Sequence, residues 1–477
     1  MPSEPLRNFL EIPYKQLEEL NLGAKERVRT HSSSELKEYY SKYLESEDRL
    51  KAVTLCFTDI EGRFHMLDYD KKFLLSSYNN LTFDGSSVRG FTQVDQSDLR
   101  LDPDWGSFRW LPSDVFGPGK VIMFANVKDK DGTPYVSDMR SQLKAYCEKL
   151  KKEKDYITNI AVECEGFLLD GLNAEQSFET GKGFKLVSGG GYFSSLPRDP
   201  LKLFIDEFAE AKRAMGFENE KDHPEVAPSQ FELNYRFADA LIAADQLQIY
   251  KLLARQIAAN SGMTASFLPK PVVGINGSGM HCNISISSKE KNIFHDAKGA
   301  EKLSQLAWDF VERILYSAND LCLVLNPSVN AYRRLDPHYE APNQIKSSAN
   351  DRTSMVRIPL GNEASSRIEV RSVAPDANPY LAFLLLLRTG LEGPMETAND
   401  QKRPRTRVLP GQIQDAIKHF KASELMGRFL GEETKEKYVE RKSLAADRCP
   451  KELGSLIKTE EVIFHHEVTN QYLWSRF

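Results

Sequence analysis

Two glutamates one residue apart, Glu163 and Glu165, stand inside the apolar run ITNIAVECEGFLL at 157–169. In a β-strand, alternation puts both carboxylates on one face and Cys164 on the other. Acids held so closely raise each other's pKa unless a cation lies between them. The flanking NIAV and GFLL predict a buried strand, which favours a cation-binding pair over solvated acids on a half-exposed strand. A second concentration of charge lies at 326–371, where arginines stand at 333, 334, 352, 357, 367 and 371 among Glu340, Glu363 and Glu369. A guanidinium is a rigid fork of donors suited to carboxylate and phosphate. A solvated, salt-bridged loop is the ordinary alternative for such a run.

The wording around these residues is more particular than their charge. In chain order the segments FDGSSVRGF, GGYF, HPEVAPSQFEL, NGSGMH, NAYRRL, YEAP, NDR, VRIP and RIEVR occur between residues 83 and 371. Together they resemble the glutamine synthetase family, over roughly 50–393. The resemblance implies ATP-dependent ligation of ammonia to the γ-carboxylate of glutamate through γ-glutamyl phosphate. It implies Glu163, Glu165, Glu225, Glu232, His281 and Glu369 as metal ligands. Arg334, Arg371, Asn276, Gly277 and Tyr192 would bind glutamate or ammonium. Glu220, Phe237, Asn283, Ser285, Arg352 and Arg367 would hold ATP. Asp84, Glu340, Arg352 and Arg357 would do the catalytic work, Asp84 reaching a neighbouring subunit's site. For Tyr192, a Gly-rich turn beside a packed aromatic is an equal reading. Three positions depart from the family pattern: Pro224, Phe231 and Asn283, where a second histidine is usual.

Five clustered carboxylates bring about −5 of charge and could not all stay ionised alone. Two to three divalent ions would balance them, and oxygen-rich ligands with one imidazole suit Mg²⁺ or Mn²⁺. Phosphoryl transfer asks mainly for position and charge neutralisation, which such ions and Arg352 and Arg357 would supply. An acidic pocket of Asp84 and Glu340 would take up ammonium and its proton. A γ-glutamyl ligase for a polyamine or ethanolamine, and a non-catalytic member of the family, are the rival readings.

The elements that must position these groups follow from pattern. The fold class is α+β. Residues 1–47 read as a helical extension, with helices near 12–29 and 35–45. Residues 48–130 read as a small β-grasp-like domain, and 131–477 as a larger catalytic domain with a curved antiparallel sheet and a helical tail. Helices are expected at 138–152, 238–261, 299–319 and 379–391. The family resemblance implies a double-hexamer dodecamer with sites shared between subunits. The 393–411 stretch contains no Tyr, so adenylylation is not expected. Gln93 stands where feedback-sensitive forms tend to carry Arg. The pair His465 and His466 with Glu467 reads as an element end rather than a metal site.

With 477 residues, 41% hydrophobic and 27% charged, the chain has the composition of a soluble globular protein. A net charge of −5 gives no basic footprint for nucleic acid. Six cysteines without a CxxC pair suggest reduced thiols and a cytoplasmic location. No signal-peptide layout opens the chain, and no apolar run reaches membrane-spanning length.

Overall fold

The computed structural model describes residues 8–88, 90–92, 97–176, 183–272, 274–335, 341–396 and 407–453. Glu340, Gln93 and the 465–467 tract lie outside them. The chain is α+β: a β-grasp domain followed by helices packed on a larger curled sheet.

The N-terminal sheet runs in the order Phe64–Asp70, Ala52–Thr58, Val121–Lys128, Asp98–Pro103, Leu81–Asp84, with Arg109–Trp110 pairing Val121–Lys128. Its central pair is parallel and the others are antiparallel. A turn forms at 59–62: the Asp59 carboxylate accepts from the amides of Glu61 and Arg63. Gly62 ends it at φ +86°, and a Cβ there would sit 2.7 Å from Asn378. That close approach needs glycine and lays the hairpin against the catalytic domain.

Two helices precede this sheet, Tyr14–Thr30 and Ser33–Ser46. Ser32 and Glu35 close a reciprocal capping box at the second. The extension belongs to the N-terminal core, since Leu17, Ala24, Leu36 and Tyr40 pack with Val53, Trp110 and Val121. Asn21, fully buried, donates to the carbonyls of Trp110 and Ala214 and accepts from the Trp110 amide. One amide thereby joins extension, β-grasp sheet and catalytic domain.

The larger sheet runs Gln344–Ser348, Ser354–Arg357, Ile368–Val370, Met280–Ser288, Ile157–Asp170, Gln230–Tyr235, Asn219–Pro224. The first pair is parallel and the rest antiparallel. The strand Ile157–Asp170 is its spine, 14 residues long and largely buried, as its apolar flanks predicted. Behind it packs Ala240–Asn260, capped by Asp239. The apolar run at 381–387 lies in the buried helix Pro379–Glu392, with Asn378 as N-cap and proline in the first turn.

The helix expected at 299–319 is instead three elements. A 3₁₀ turn spans Ala300–Lys302, Ser304 caps Gln305–Tyr316, and Ser317 separates that helix from Ala318–Leu325. Apolar periodicity does not see these breaks: the Ser304 hydroxyl accepts from the Ala307 amide and starts a new helix, while at Ser317 the backbone leaves helical geometry without a side-chain cap. Among the described residues no helix is long and apolar enough to cross a membrane.

The two domains meet on a buried cation. Arg140, 1% exposed, donates to both carboxylate oxygens of Asp245 at 2.9 and 2.7 Å, to Asn126 at 2.7 Å and to Asp104 at 3.1 Å. Lys144 also reaches Asp104, and the Tyr380 hydroxyl donates to Asp245. Burial acts to raise the Asp104 pKa, but Arg140 and Lys144 outweigh it and hold the carboxyl down at about 2.

Candidate active site

Register across the large sheet assembles the acids. Glu163 lies opposite His281, Glu165 opposite Glu232, and Glu369 opposite both Asn283 and Arg357. Alternation keeps their side chains on one face, while Cys164 and Cys282 turn into the core. Two groups of candidate ligands result. In one, Glu163, His281 and Glu369 each bring a ligand atom within 4.8 Å of the others; in the second, His223, Glu225 and Glu232 do the same. Glu165 stands between them. Its Oε1 is 3.9 Å from His281 Nε2, and its backbone pairs with Glu232. Its Oε2 accepts from the Gly279 amide at 2.8 Å and Gln230 Nε2 at 3.2 Å.

All six residues expected as metal ligands are therefore at one place. His223 joins them and was not foreseen; only its position two residues before Glu225, on the same side of an extended segment, could have pointed to it. Its Nδ1 lies 3.1 Å from the Pro224 carbonyl, which requires a proton on Nδ1. Burial lowers the pKa of this imidazole. The opposite nitrogen, Nε2, then carries a lone pair; it is buried, without a hydrogen-bond donor among the described residues, 3.7 Å from Glu232 Oε1. An oriented imidazole with an orphaned lone pair facing carboxylates is the arrangement of a metal-binding histidine.

The carboxyls agree. Burial, then Glu165, pushes Glu225 up to about 7. Burial, then Glu165, Glu163 and Glu225, pushes Glu232 well above the ordinary carboxylate range. Burial also acts to raise Glu163, but the contacts with His281 and Asn283 overcome it and hold it at about 2. Acids crowded so that some stay protonated, with two imidazoles among them, fit hard divalent cations of the Mg²⁺ or Mn²⁺ kind.

A sign follows for pH. A carboxyl with a raised folded pKa binds more protons in the folded than in the unfolded chain, so it removes stability as pH rises between about 4.5 and 7. The depressed Glu163 acts in the other window, contributing stability above pH 4.5 that is lost as pH falls toward 2. Metal-free protein in chelator is thus expected to melt lower at pH 8 than at pH 5.5, and Mn²⁺ to reverse the difference at pH 8. Calorimetric melting checks this; equal melting with and without Mn²⁺ at pH 8 would contradict it.

Beside the acids lies a cationic wall. Arg334 is 6% exposed, with Nη2 2.9 Å from the Arg371 carbonyl and 3.4 Å from His281 Nε2. Burial, then Arg371, lowers its pKa to about 10, which leaves it charged near neutrality. Arg334 Nη1 and Arg371 Nε are buried with no hydrogen-bond acceptor among the described residues. Unmet guanidinium donors of this kind suit a carboxylate. Gly277 fits against this wall, where a Cβ would lie 3.1 Å from Arg334 Cγ. Glu369 is bound by Arg357 at 2.9 Å and by Arg371. Arg367 donates to Asn283, which donates to Glu163. Ser285 follows Asn283 by two on the same strand and face.

Other expected residues are not gathered in. Asp84 is exposed on the β-grasp domain, capping a 3₁₀ turn by accepting from Ser86 and Ser87. Tyr192 is half exposed, stacked on Phe193 at 3.8 Å and edge-on to His223 at 5.7 Å. It thus stands at the rim of the second triad. Glu220 and Phe237 are exposed near the outer ends of Asn219–Pro224 and Gln230–Tyr235, with no hydrogen bond or ion pair to the triads among the described residues. Arg352 is exposed on the turn before Ser354–Arg357, and Asn276 is half buried in the loop before Met280.

Comparison with known proteins places this geometry. Residues 49–130 match the model of the glutamine synthetase beta-Grasp domain, and 136–454 that of the glutamine synthetase catalytic domain. A glutamine synthetase of Methanosarcina mazei is 37% identical over 417 residues, covering 84% of this chain and 92% of the relative. One from Clostridium saccharobutylicum is 35% identical over 428 residues, covering 85% and 94%. Among solved structures, a GmaS/ADP complex superposes with TM-score 0.75 at 25% identity, covering 89% of this chain and 99% of that one. A Plasmodium falciparum glutamine synthetase shares the fold, with TM-score 0.79 at 21% identity over 90% and 98%. The chain belongs to the glutamine synthetase family, a family of ligases.

Proposed function

We propose that this protein is an ATP-dependent glutamate–ammonia ligase working through γ-glutamyl phosphate. The observation that carries the reading is the pair of triads bridged by Glu165 beside the unmet donors of Arg334 and Arg371. Glu163, His281 and Glu369 would hold one divalent ion, Mg²⁺ or Mn²⁺; Glu225, Glu232, Glu165 and His223 would hold another. When bound, such ions neutralise phosphate charge and polarise phosphoryl oxygens. The protein's own groups do the rest. Arg334 and Arg371 orient the α-carboxylate of glutamate. Arg357 and Arg352 face the transferring phosphoryl group, Arg357 leaving Glu369 to do so. Arg367, Ser285, Glu220 and Phe237 contact the nucleotide, and Asn276 and Gly277 the amino acid. Tyr192 borders the ammonium pocket. Glu340 closes over it, and Asp84 from a neighbouring subunit takes the proton. Asp84 is exposed and makes no hydrogen bond or ion pair with the triads among the described residues, which supports a site completed by a second copy; the assembly we propose is a cytoplasmic double hexamer.

A specific observation keeps a second reading. GmaS is a γ-glutamylmethylamide synthetase, so this fold also serves an alkylated amine. Phosphate release from ATP and glutamate is expected to depend on ammonium. If methylamine, ethanolamine or putrescine drives it more efficiently, the acceptor is the larger amine; if none drives it with Mg²⁺ or Mn²⁺ present, the ligase reading falls.

A further inference from the structure

Asn283 is 4% exposed and lies between two charged groups on neighbouring strands. Its Nδ2 donates to Glu163 Oε1 at 3.1 Å, and its Oδ1 accepts from Arg367 Nε at 2.9 Å. A guanidinium only donates and a carboxylate only accepts, so just one orientation of the amide satisfies both. The side chain is therefore a polarised bridge with no freedom to flip. Glu163 offers its other oxygen, Oε2, to His281 Nδ1 at 3.4 Å. Asn283 thus fixes which carboxylate oxygen turns toward the Glu163–His281–Glu369 triad.

We infer that Asn283 is a positioning residue that orients Glu163 for a divalent ion and couples metal binding to nucleotide binding through Arg367. The inference rests on the proposed reading that Arg367 contacts the nucleotide. When Arg367 engages phosphate, the acceptor at Asn283 Oδ1 loses or shares its donor, and the hold on Glu163 changes with it. Such coupling is reciprocal: nucleotide alters metal affinity by the factor by which metal alters nucleotide affinity. A neutral imidazole also carries one donor and one acceptor, so histidine could serve the same bridge. An aliphatic side chain could not.

The test is Mn²⁺ binding to the full-length, metal-free protein, followed by electron paramagnetic resonance with and without ADP. Glu369→Gln and Glu225→Gln assign the two classes of site. In Asn283→Leu, Mn²⁺ affinity is expected to fall about 10- to 100-fold at the class removed by Glu369→Gln. The class removed by Glu225→Gln should be unaltered, and the effect of ADP on the first class should vanish. Asn283→His should restore both affinity and the ADP effect. A structural role alone would move both classes together, or the melting temperature without either; that result overturns the inference. Unchanged Mn²⁺ affinity in Asn283→Leu overturns it as well. Failure of the unaltered protein to bind Mn²⁺ is a different outcome, which removes the metal reading itself.

Discussion

Glu232→Gln is expected to lower metal-dependent turnover about a thousand-fold while leaving the metal-free protein at least as stable as the parent. Glu232 is 5% exposed, and burial with three neighbouring glutamates opposes its ionisation. Gln keeps the shape and the acceptor for Asn234 Nδ2, now 2.9 Å from Oε1. It removes the charge that a divalent ion needs. Loss of about 4 kcal/mol of charge stabilisation corresponds to about three decades of rate. Without metal the same change removes a group that is costly to ionise, so melting in chelator at pH 8 should hold or rise. Opposite signs for activity and stability mark a functional acid as opposed to a structural one. A variant that loses both, or retains turnover, would count against a ligand role.

Arg140→Met is expected to cost about 3–5 kcal/mol of stability without touching the triads. The guanidinium satisfies Asp245 with two bonds and also serves Asp104 and Asn126, all within a largely buried seam. Met fills the volume and packs on Phe124, over which the guanidinium now lies at 5.2 Å. It leaves Asp245 with the Tyr380 hydroxyl and Asp104 with Lys144. Arg140→Lys should recover only part of the loss, because an ammonium lacks the planar fork. Urea unfolding measures the difference. A loss under about 1 kcal/mol would mean that the seam tolerates the bare acids, contrary to the geometry.

The sequence carried the acids of the site better than the frame that holds them. Alternation in ITNIAVECEGFLL placed Glu163 and Glu165 on one face because a strand's period is fixed by its backbone. Ordered motifs supplied Glu225, Glu232, His281 and Glu369, and all of them converge. Two kinds of information were missing. One is pairing between distant segments: nothing local says that Arg140 meets Asp245 or that Asn283 lies beside Glu163, since register is set by the whole sheet. The other is tautomer and orientation. Nothing in the sequence singles out His223; the Pro224 carbonyl fixes the proton on Nδ1 and leaves Nε2 open. The helix expected at 299–319 failed for a local reason, two serine breaks within an apolar pattern. Asp84 cannot be placed at a site within one chain, because its expected target lies in another copy.

The ligase reading stands on the proposal that two triads, joined by Glu165, hold divalent cations. Anomalous diffraction from crystals of the protein with Mn²⁺ tests this most directly. Two strong peaks per chain are expected, one among Glu163, His281 and Glu369 and one among His223, Glu225 and Glu232. No peak at either triad, with Mn²⁺ bound elsewhere or not at all, would contradict it.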